Sequence, residues 1–581
     1  MRHLIKLLVL CTFMLCTAVA KDNNLNISND LIKKENGVFL GPNGLAPLLE
    51  VYTQKQLEDG VNVGTEFCIA CHQDYSEFRE TKHIASIREA LPEYAMMPGK
   101  GIVMDYDSNG VDDFSQGLDF NTISSAFDTF KPNAPILSLV DGKYYVQIGE
   151  LTMPVIATYG GTGDWKQRLM LRIPVTGTES GLSNENYISP IQYNEKVHQY
   201  SLYHPEAWYD ENNAPRYELN EPVAQMASEN ARSFSKKCMG CHTNGIRSLA
   251  QNADGEWIGK ASPATLPNGP FYPDMDHDGI SDLVNTDCES CHGPGSAHIM
   301  AGGNPSMIVN PSKIDSQLAT DICGRCHNRV KSVPNGLHDW PRNDETGEKF
   351  LPGMSLDGFW TDATGDWPDG VNSKSHHQQY ADLLVTNKVA YGYACYSCHN
   401  VHKNTKHLVR EEIVKTDHDT GEQFPITTNN DDNTLCLACH ATHGPFETIT
   451  RPMMVDFDAN KDEIAKVVSA HTKHPYAPER SMGLSRCSKC HMPKTVKSAV
   501  AYDIHSHTFE AMSPEKTLEL GMPNSCAASC HSQKAILFKN GFDPSISTWN
   551  DVFDEKEAEA LKAYYGPGGQ WWDNTAEGEG H

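Results

Sequence analysis

The chain has 581 residues, 39% apolar and 21% charged. That composition suits a folded chain of more than one domain and excludes a disordered chain or one built from membrane-spanning helices. A formal net charge of −27 excludes nucleic acid and anionic lipid as partners and suits solubility and basic protein partners.

Residues 1–20 read as a Sec signal peptide. Arg2 and Lys6 give a basic start, Leu7 to Met14 an apolar run, and Ala18-Val19-Ala20 a small-residue cleavage signature. The run falls short of the roughly 20 residues of a spanning helix, and Phe13-Met14-Leu15 before Cys16 lacks the small residues of a lipoprotein signal. The expected location is periplasmic or extracellular, with no transmembrane anchor. Cys11 and Cys16 leave with this segment, and the loss of Arg2 and Lys6 makes the rest more negative.

Residues 21–60 are polar and predict an arm or loop. Then comes Cys68-x-x-Cys71-His72, the first of eight such motifs. Two thiols at this spacing can add to the two vinyl groups on one edge of a haem, and the next side chain then lies under the iron, where imidazole is a strong axial ligand. His83 follows closely and is a candidate for the opposite axial position.

About 165 residues without a motif follow, and they read as β-rich. Asp105, Asp107, Asn109, the carbonyl of Val111 and Asp113 form a short aspartate loop with Gly110 at its turn, a candidate calcium site. Asp141-Gly142 is a hairpin signal leading into a strand from Lys143 to Ile148. Gln167 to Val175 and Tyr187 to Tyr193 are further strand candidates, with a turn at Gly160-Gly161. A helix is expected from about Asn220, with Pro222 in its first turn, into the second motif.

From there seven motifs crowd into 294 residues. Six keep the two-residue spacing: Cys238 and Cys241 with His242, Cys288 and Cys291 with His292, Cys323 and Cys326 with His327, Cys395 and Cys398 with His399, Cys436 and Cys439 with His440, and Cys487 and Cys490 with His491. The last, Cys526 and Cys530 with His531, has one extra residue between the thiols. That residue is expected to bulge out without moving Cys530 far from the place of a second haem thiol. A second aspartate loop, Asp274, Asp276, Asp278, the Ile280 carbonyl and Asp282, precedes the third motif. Neither loop has the terminal glutamate of an EF-hand (Gln116 and Asn285 stand there).

Further axial candidates are His298 closing CHGPGSAH, the pair His376 and His377, His402 closing CHNVH, His407, His443 closing CHATH, His471, His474, His505 and His507. Met492 is a weaker rival that points away from its own motif's iron. Of 26 histidines, 17 remain after His3 and the eight motif histidines, enough for bis-histidine ligation throughout. Ile464, Val467, Val468 and His471 have helical spacing, and a charged helix is expected from Asp554 to Tyr565 before a Gly-rich end.

Disulfides or zinc would explain close cysteine pairs but not a histidine after every second cysteine. The chain is therefore read as carrying eight covalent haems c, with one or two calcium ions. The expected fold is a multihaem cytochrome c, mostly short α-helices and loops wrapped round stacked haems, with a β-rich insertion near the N-terminus. The expected divisions are 1–20 signal peptide, 21–95 arm with the first haem, 96–219 β-rich insertion, 220–540 seven-haem domain, and 541–581 helix and polar tail.

CESCHGPGSAH, HHQQY before CYSCHNVH, and CSKCHMP followed by HSHTF resemble the bacterial multihaem c-type cytochromes related to the tetrahaem electron carriers of ammonia oxidisers and the octahaem hydroxylamine and tetrathionate enzymes. The resemblance covers roughly residues 238 to 531. The stretches from Gly160-Gly161 to Gln167 and from Pro190 to Asn194 resemble a β-rich insertion of some members. It implies stacked haem pairs, with His298, His402 and His443 at ligand positions, and anaerobic respiration in the periplasm or outside the cell. Members that reduce nitrite or tetrathionate often carry lysine after the second cysteine at the catalytic haem; here all eight carry histidine.

The expected function is electron transfer from a quinol-linked donor to a terminal reductase or extracellular acceptor. A homo-oligomer or filament in which a neighbour's histidine completes a site is a variant of it. The alternative is an octahaem oxidoreductase acting on nitrite, hydroxylamine or a sulfur oxyanion at one five-coordinate haem.

Overall fold

The computed structural model describes residues 33–35, 38–40, 46–229, 232–363, 365–474, 485–500, 502–531 and 552–565. The signal-peptide reading and the polar C-terminal end lie outside these residues. The chain forms two compact units, residues 1–363 and 364–581. They divide the eight motifs four and four.

The first unit is built on a seven-stranded sheet lying between the first and second motifs in sequence. Its strands are β1 (Ile87–Glu89), β2 (Ile136–Val140), β3 (Lys143–Ile148), β4 (Leu151–Gly160), β5 (Lys166–Leu171), β6 (Tyr187–Asn194) and β7 (Gln199–Leu202). The order is β2-β3-β4-β5-β6-β7, all antiparallel, and β1 pairs with the far end of β4. Asp141 and Gly142 both take positive φ at the β2–β3 turn (48° and 74°), the twist-matching hairpin geometry their sequence foretells. β6 is buried at every position, as a strand covered on both faces must be.

The two faces bury different cores. One packs Leu151, Met153, Val155, Leu169, Leu171 and Tyr193 against Phe114, Phe120 and Phe127. The other packs Ala157, Met170 and Ile188 against Phe234, Cys238, Met239 and Trp340, around the second motif. Each such side chain contributes about 1.5–3 kcal/mol on burial. Val155 and Ala157 have the same parity yet serve opposite faces, because the register slips between them. A β-bulge of this kind turns the rest of a strand over.

The helix expected to run unbroken from residue 220 into the second motif is instead two short pieces. Pro222 caps Val223–Ser228, and Ser233 caps Phe234–Lys237 through its side chain. The stretch read as arm or loop holds two short helices, Ala46–Val51 and Gln54–Asp59, the second closed by a Thr53–Gln56 capping box.

In the second unit the expected helix is present as Phe457–Thr472. It buries Ile464 and Val468 against Leu437, Ala438, Ile449 and Met454. A hairpin that sequence reading did not mark, Glu412–Thr416 with Gln423–Thr427, packs on the same core through Ile426. The charged C-terminal helix spans Val552–Tyr565 and buries Leu561 against Trp367, Tyr502 and Met522.

Candidate functional site

Each Cys-x-x-Cys-His run has to bring two thiols and an imidazole to one side of the chain, and a single helical turn does so. The motifs lie in or beside short helices, among them Thr65–Cys71, Met239–His242, Cys288–His292, Thr434–His440 and Cys487–His491. Cys323 lies within Ser316–Gly324, and Cys395 opens the short turn Cys395–Ser397. All sixteen motif cysteines are outside any disulfide.

The eighth motif corrects one expectation. The extra residue ahead of Cys530 does not bulge out of the chain's path. It is taken up in a single π-helical turn over Ala527–His531, which contains Cys530 and follows directly on Cys526. A π turn accommodates one residue more than an α turn, so the insertion is absorbed by widening. Cys526 and Cys530 are both partly buried, and Cys490 of the seventh motif lies within electrostatic reach of both.

Four motif histidines face a second imidazole. His72 meets His298 with ring centres 6.3 Å apart, His327 meets His83 at 6.3 Å, His399 meets His507 at 6.4 Å, and His531 meets His474 at 6.1 Å. Two metal–imidazole bonds of about 2 Å each, plus the step from nitrogen to ring centre, make a separation of about 6 Å. Direct ring contact would bring the centres closer. The residues present therefore fit an iron held between two imidazoles.

The ring nitrogens support the same fit. Nδ1 donates to a backbone carbonyl in His298 (to Asn304, 2.9 Å), His474 (to Thr472, 2.8 Å) and His507 (to His505, 3.0 Å). Among the motif histidines, His292 donates to Val309 (2.8 Å), His399 to His407 (3.1 Å) and His491 to Phe509 (3.2 Å). With Nδ1 the donor, Nε2 keeps its lone pair for a metal.

The other distal candidates are placed as follows. His443 donates Nδ1 to Ala441 at 2.9 Å, and His505 donates to Met492 and is held near a pKa of about 4, first by burial. The His471 ring lies edge-on to Phe446 at 5.1 Å, and His376 and His377 pack edge to face at 4.5 Å. The His402 amide is bonded to Asn400, and the His407 carbonyl receives His399.

Within each unit the motifs abut. In the first, the buried Glu289 carboxylate accepts from the Val63, Gly64 and Gly295 amides and ties the third motif to the approach to the first. The Cys68 and Cys288 thiols meet, as do those of Cys241 and Cys326, while Arg325 donates to the Gly240 carbonyl. Cys291 lies within electrostatic reach of Cys326. The third motif thus abuts the first and the fourth, and the second abuts the fourth and, through Asn244 to Asp287 and Glu289, the third. In the second unit Cys398 feels Cys439, Cys436 meets Cys487, and Ser525 donates to the Cys490 carbonyl, so space follows sequence.

His242 differs from the paired four. Its Nδ1 lies 3.1 Å from Ser86 Oγ, which donates to Asn285 Oδ1 at 2.8 Å. Its Nε2 faces the Tyr159 hydroxyl at 3.2 Å. Burial, then the Arg168 charge, pulls its pKa to about 4, and burial holds Tyr159 far above the usual phenol range. Sequence reading missed Ser86, Tyr159 and Arg168; only the β4–β5 register joins them to a motif.

Of the two aspartate loops, the second brings carboxylate oxygens of Asp274, Asp276 and Asp282 within 4.8 Å of one another. Asp278 uses Oδ1 to accept the Ile280 amide at 3.0 Å. Buried Asp274 Oδ1 and Asp276 Oδ2 accept no hydrogen bond. Burial, then the charges of Asp276 and Asp274, pushes Asp282 up to about 7, because carboxylates gathered away from water disfavour one another's charge. In the first loop the oxygens are spent internally. Asp105 accepts from Asn109 and Gly110, Asn109 from Val111, and Asp113 from Tyr106 and Tyr200. Asp107 bonds the Asn109 side chain.

No family model matches the chain, and no curated protein matches it. Among solved structures, it is similar to the outer cell wall cytochrome OcwA, with 20% identity and a TM-score of 0.40 over 82% of this chain and 86% of that one. It is also similar to an undecahaem cytochrome from the S-layer of Carboxydothermus ferrireducens, with 13% identity and a TM-score of 0.37 over 93% of this chain and 69% of that one. No helix among the described residues is long and apolar enough to cross a membrane.

Proposed function

We propose that the chain is an eight-haem c-type cytochrome that passes electrons haem to haem in periplasmic or extracellular anaerobic respiration. The observation that carries this is the set of four imidazole pairs, each joining a motif histidine to a distant one across a gap of one iron. Bound there, haem iron supplies one-electron redox chemistry. The protein's part is to hold both imidazoles in place in either oxidation state, so that little rearrangement opposes transfer.

Abutting motifs put neighbouring haems within tunnelling reach inside each unit. The second aspartate loop is read as a calcium site that fixes the approach to the third motif. A quinol-linked donor and a terminal reductase or extracellular acceptor are the proposed partners.

The test is the matured holoprotein. Its mass should show eight haems, and its ferric paramagnetic resonance should be dominated by low-spin haem. His298→Ala should turn one low-spin haem high-spin and leave the rest. Bare thiols in the mass, or a spectrum indifferent to His298→Ala, would refute the reading.

A second reading, an oxidoreductase acting on nitrite, hydroxylamine or a sulfur oxyanion, is favoured by one observation: the two ring nitrogens of His242 face the hydroxyls of Ser86 and Tyr159.

A further inference from the structure

Charges of both signs stand among the abutting motifs of the first unit. Asp287 and Glu289 are buried at the start of the third motif, against the approach to the first. Glu289 accepts from the amides of Val63 (2.9 Å), Gly64 (2.8 Å) and Gly295 (2.7 Å), and from the Asn244 side chain at 3.1 Å. Asp287 accepts from the Glu289 and Ser290 amides at 2.9 and 3.1 Å, and from the same Asn244 side chain. These donors are amides and carry no charge. Burial raises Asp287 to about 6, and burial with the Asp287 charge raises Glu289 to about 8, against the pull of the donors. The pair therefore holds a negative charge at neutral pH and two at about pH 9.

The opposite sign stands at the fourth motif. Arg325, between Cys323 and Cys326, donates Nε (3.0 Å) and Nη2 (2.7 Å) to the Gly240 carbonyl. Lys349 lies within its electrostatic reach and donates to the Ile246 carbonyl. These acceptors are main-chain carbonyls and carry no charge. The field along the thiols changes sign accordingly. Beyond burial and the neighbouring thiols, Cys68 feels the charges of Glu289 and Asp287, Cys291 those of Asp287 and Arg325, and Cys326 that of Arg325. Thiols mark the vinyl edge of a haem, and its propionates leave from the opposite edge. Away from water a fixed charge acts more strongly than it does in solution. An anion beside a haem favours the ferric state and a cation the ferrous one.

We propose that these charges set the direction of electron flow in the first unit. Asp287 and Glu289 hold the haem of the first motif at low potential, Arg325 and Lys349 hold that of the fourth motif higher, and electrons settle on the fourth. Each of these two sites has its imidazole pair, His72 with His298 and His327 with His83. The third motif abuts both, feels both signs and is the step between them. The four charged residues ligate neither iron and act through space. This rests on the haem reading above.

A spectrum can tell the two sites apart. Their imidazole planes lie 21° apart at the first motif and 90° apart at the fourth. Crossed planes bring the iron d orbitals closer in energy and make the low-spin ferric resonance more anisotropic. The test is a potentiometric titration of the intact matured protein at about pH 9, where both carboxyls are ionised, followed by paramagnetic resonance. The two signals are assigned by their loss in His298→Ala and in His83→Ala. On stepwise reduction the fourth motif's signal should vanish first, with the electron favouring that haem at least tenfold, about 59 mV for one electron. Glu289→Gln should narrow the gap by raising the first haem, and Arg325→Gln by lowering the fourth, with both low-spin signals kept. Asp287→Asn repeats the first arm if Glu289→Gln fails to mature. A first-motif haem reduced before or together with the fourth overturns the proposal, and so does the expected order left unmoved by the substitutions. In both cases the two low-spin signals remain and the haem reading stands. Absence of both signals from the unsubstituted protein would instead sink the haem reading.

Discussion

At the scale of single residues, buried acids are the most telling. Glu185 is fully buried just before β6, where its carboxylate accepts from the Asn186 and Ser235 amides. Burial outweighs those bonds, the nearby Glu256 adds to it, and the carboxyl is pushed up to about 8. Between its ordinary range and pH 8 the unfolded chain is ionised there while the folded chain keeps its proton. The folded state binds more protons, so this group's contribution to stability falls as pH rises through that window and levels off above it. Glu185→Gln should therefore flatten the decline of apparent melting temperature between pH 6 and 8.5 and raise it at the upper end. An unchanged slope would mean that Glu185 is ionised in the fold.

At the scale of elements, the second aspartate loop is where a bound cation would act on structure. It lies between the sheet and the third motif, and Asp282 also accepts the Met275 and Asp276 amides. Calcium there would satisfy three carboxylates that repel one another, beside Lys260 at 3.6 Å from Asp276 and Arg172 within electrostatic reach of Asp274. Chelation should lower the melting temperature by several degrees, as a loss of about 1–3 kcal/mol does in a domain of this size. Asp276→Asn should abolish the difference between chelated and calcium-loaded protein. A chelation effect that survives Asp276→Asn would assign the ion elsewhere.

Elements also mark what could be read from the sequence. The motifs, the Asp141-Gly142 hairpin and the helix ending near His471 were legible because each is local: a fixed spacing, a turn pair, a 3.6-residue period. The pairing of His298 with His72, and of His83 with His327, was not, because each joins residues far apart in sequence. The turn that carries Cys530 was legible only in its spacing, since an inserted residue can loop out or widen a helix and the letters do not choose between them. Least legible was the bulge in β4. Pattern reading takes alternation as unbroken, yet the slip at Val155–Ala157 turns Tyr159 toward His242 and brings the β-rich stretch against the second motif. Gly240, inside the second motif, is explained only by Trp340, whose ring occupies the space a Cβ would need.

At the scale of the whole molecule, net charge and motif order act together. A formal charge of −27 keeps a chain soluble and would also attract cationic partners over a Debye length of about 10 Å at moderate salt. Transfer from outside begins with such an encounter, while transfer along a row of abutting motifs involves no encounter. Salt should therefore act on entry and leave internal redistribution alone. Reduction of the holoprotein by a basic monohaem cytochrome should slow about tenfold between low salt and about 0.2 M. Reduction by an uncharged quinol analogue should be insensitive, and spectral evolution after a rapid reductive pulse should be the same at both salts. Equal salt dependence for both donors would place the slow step inside the protein and take partner steering away from the acidic surface.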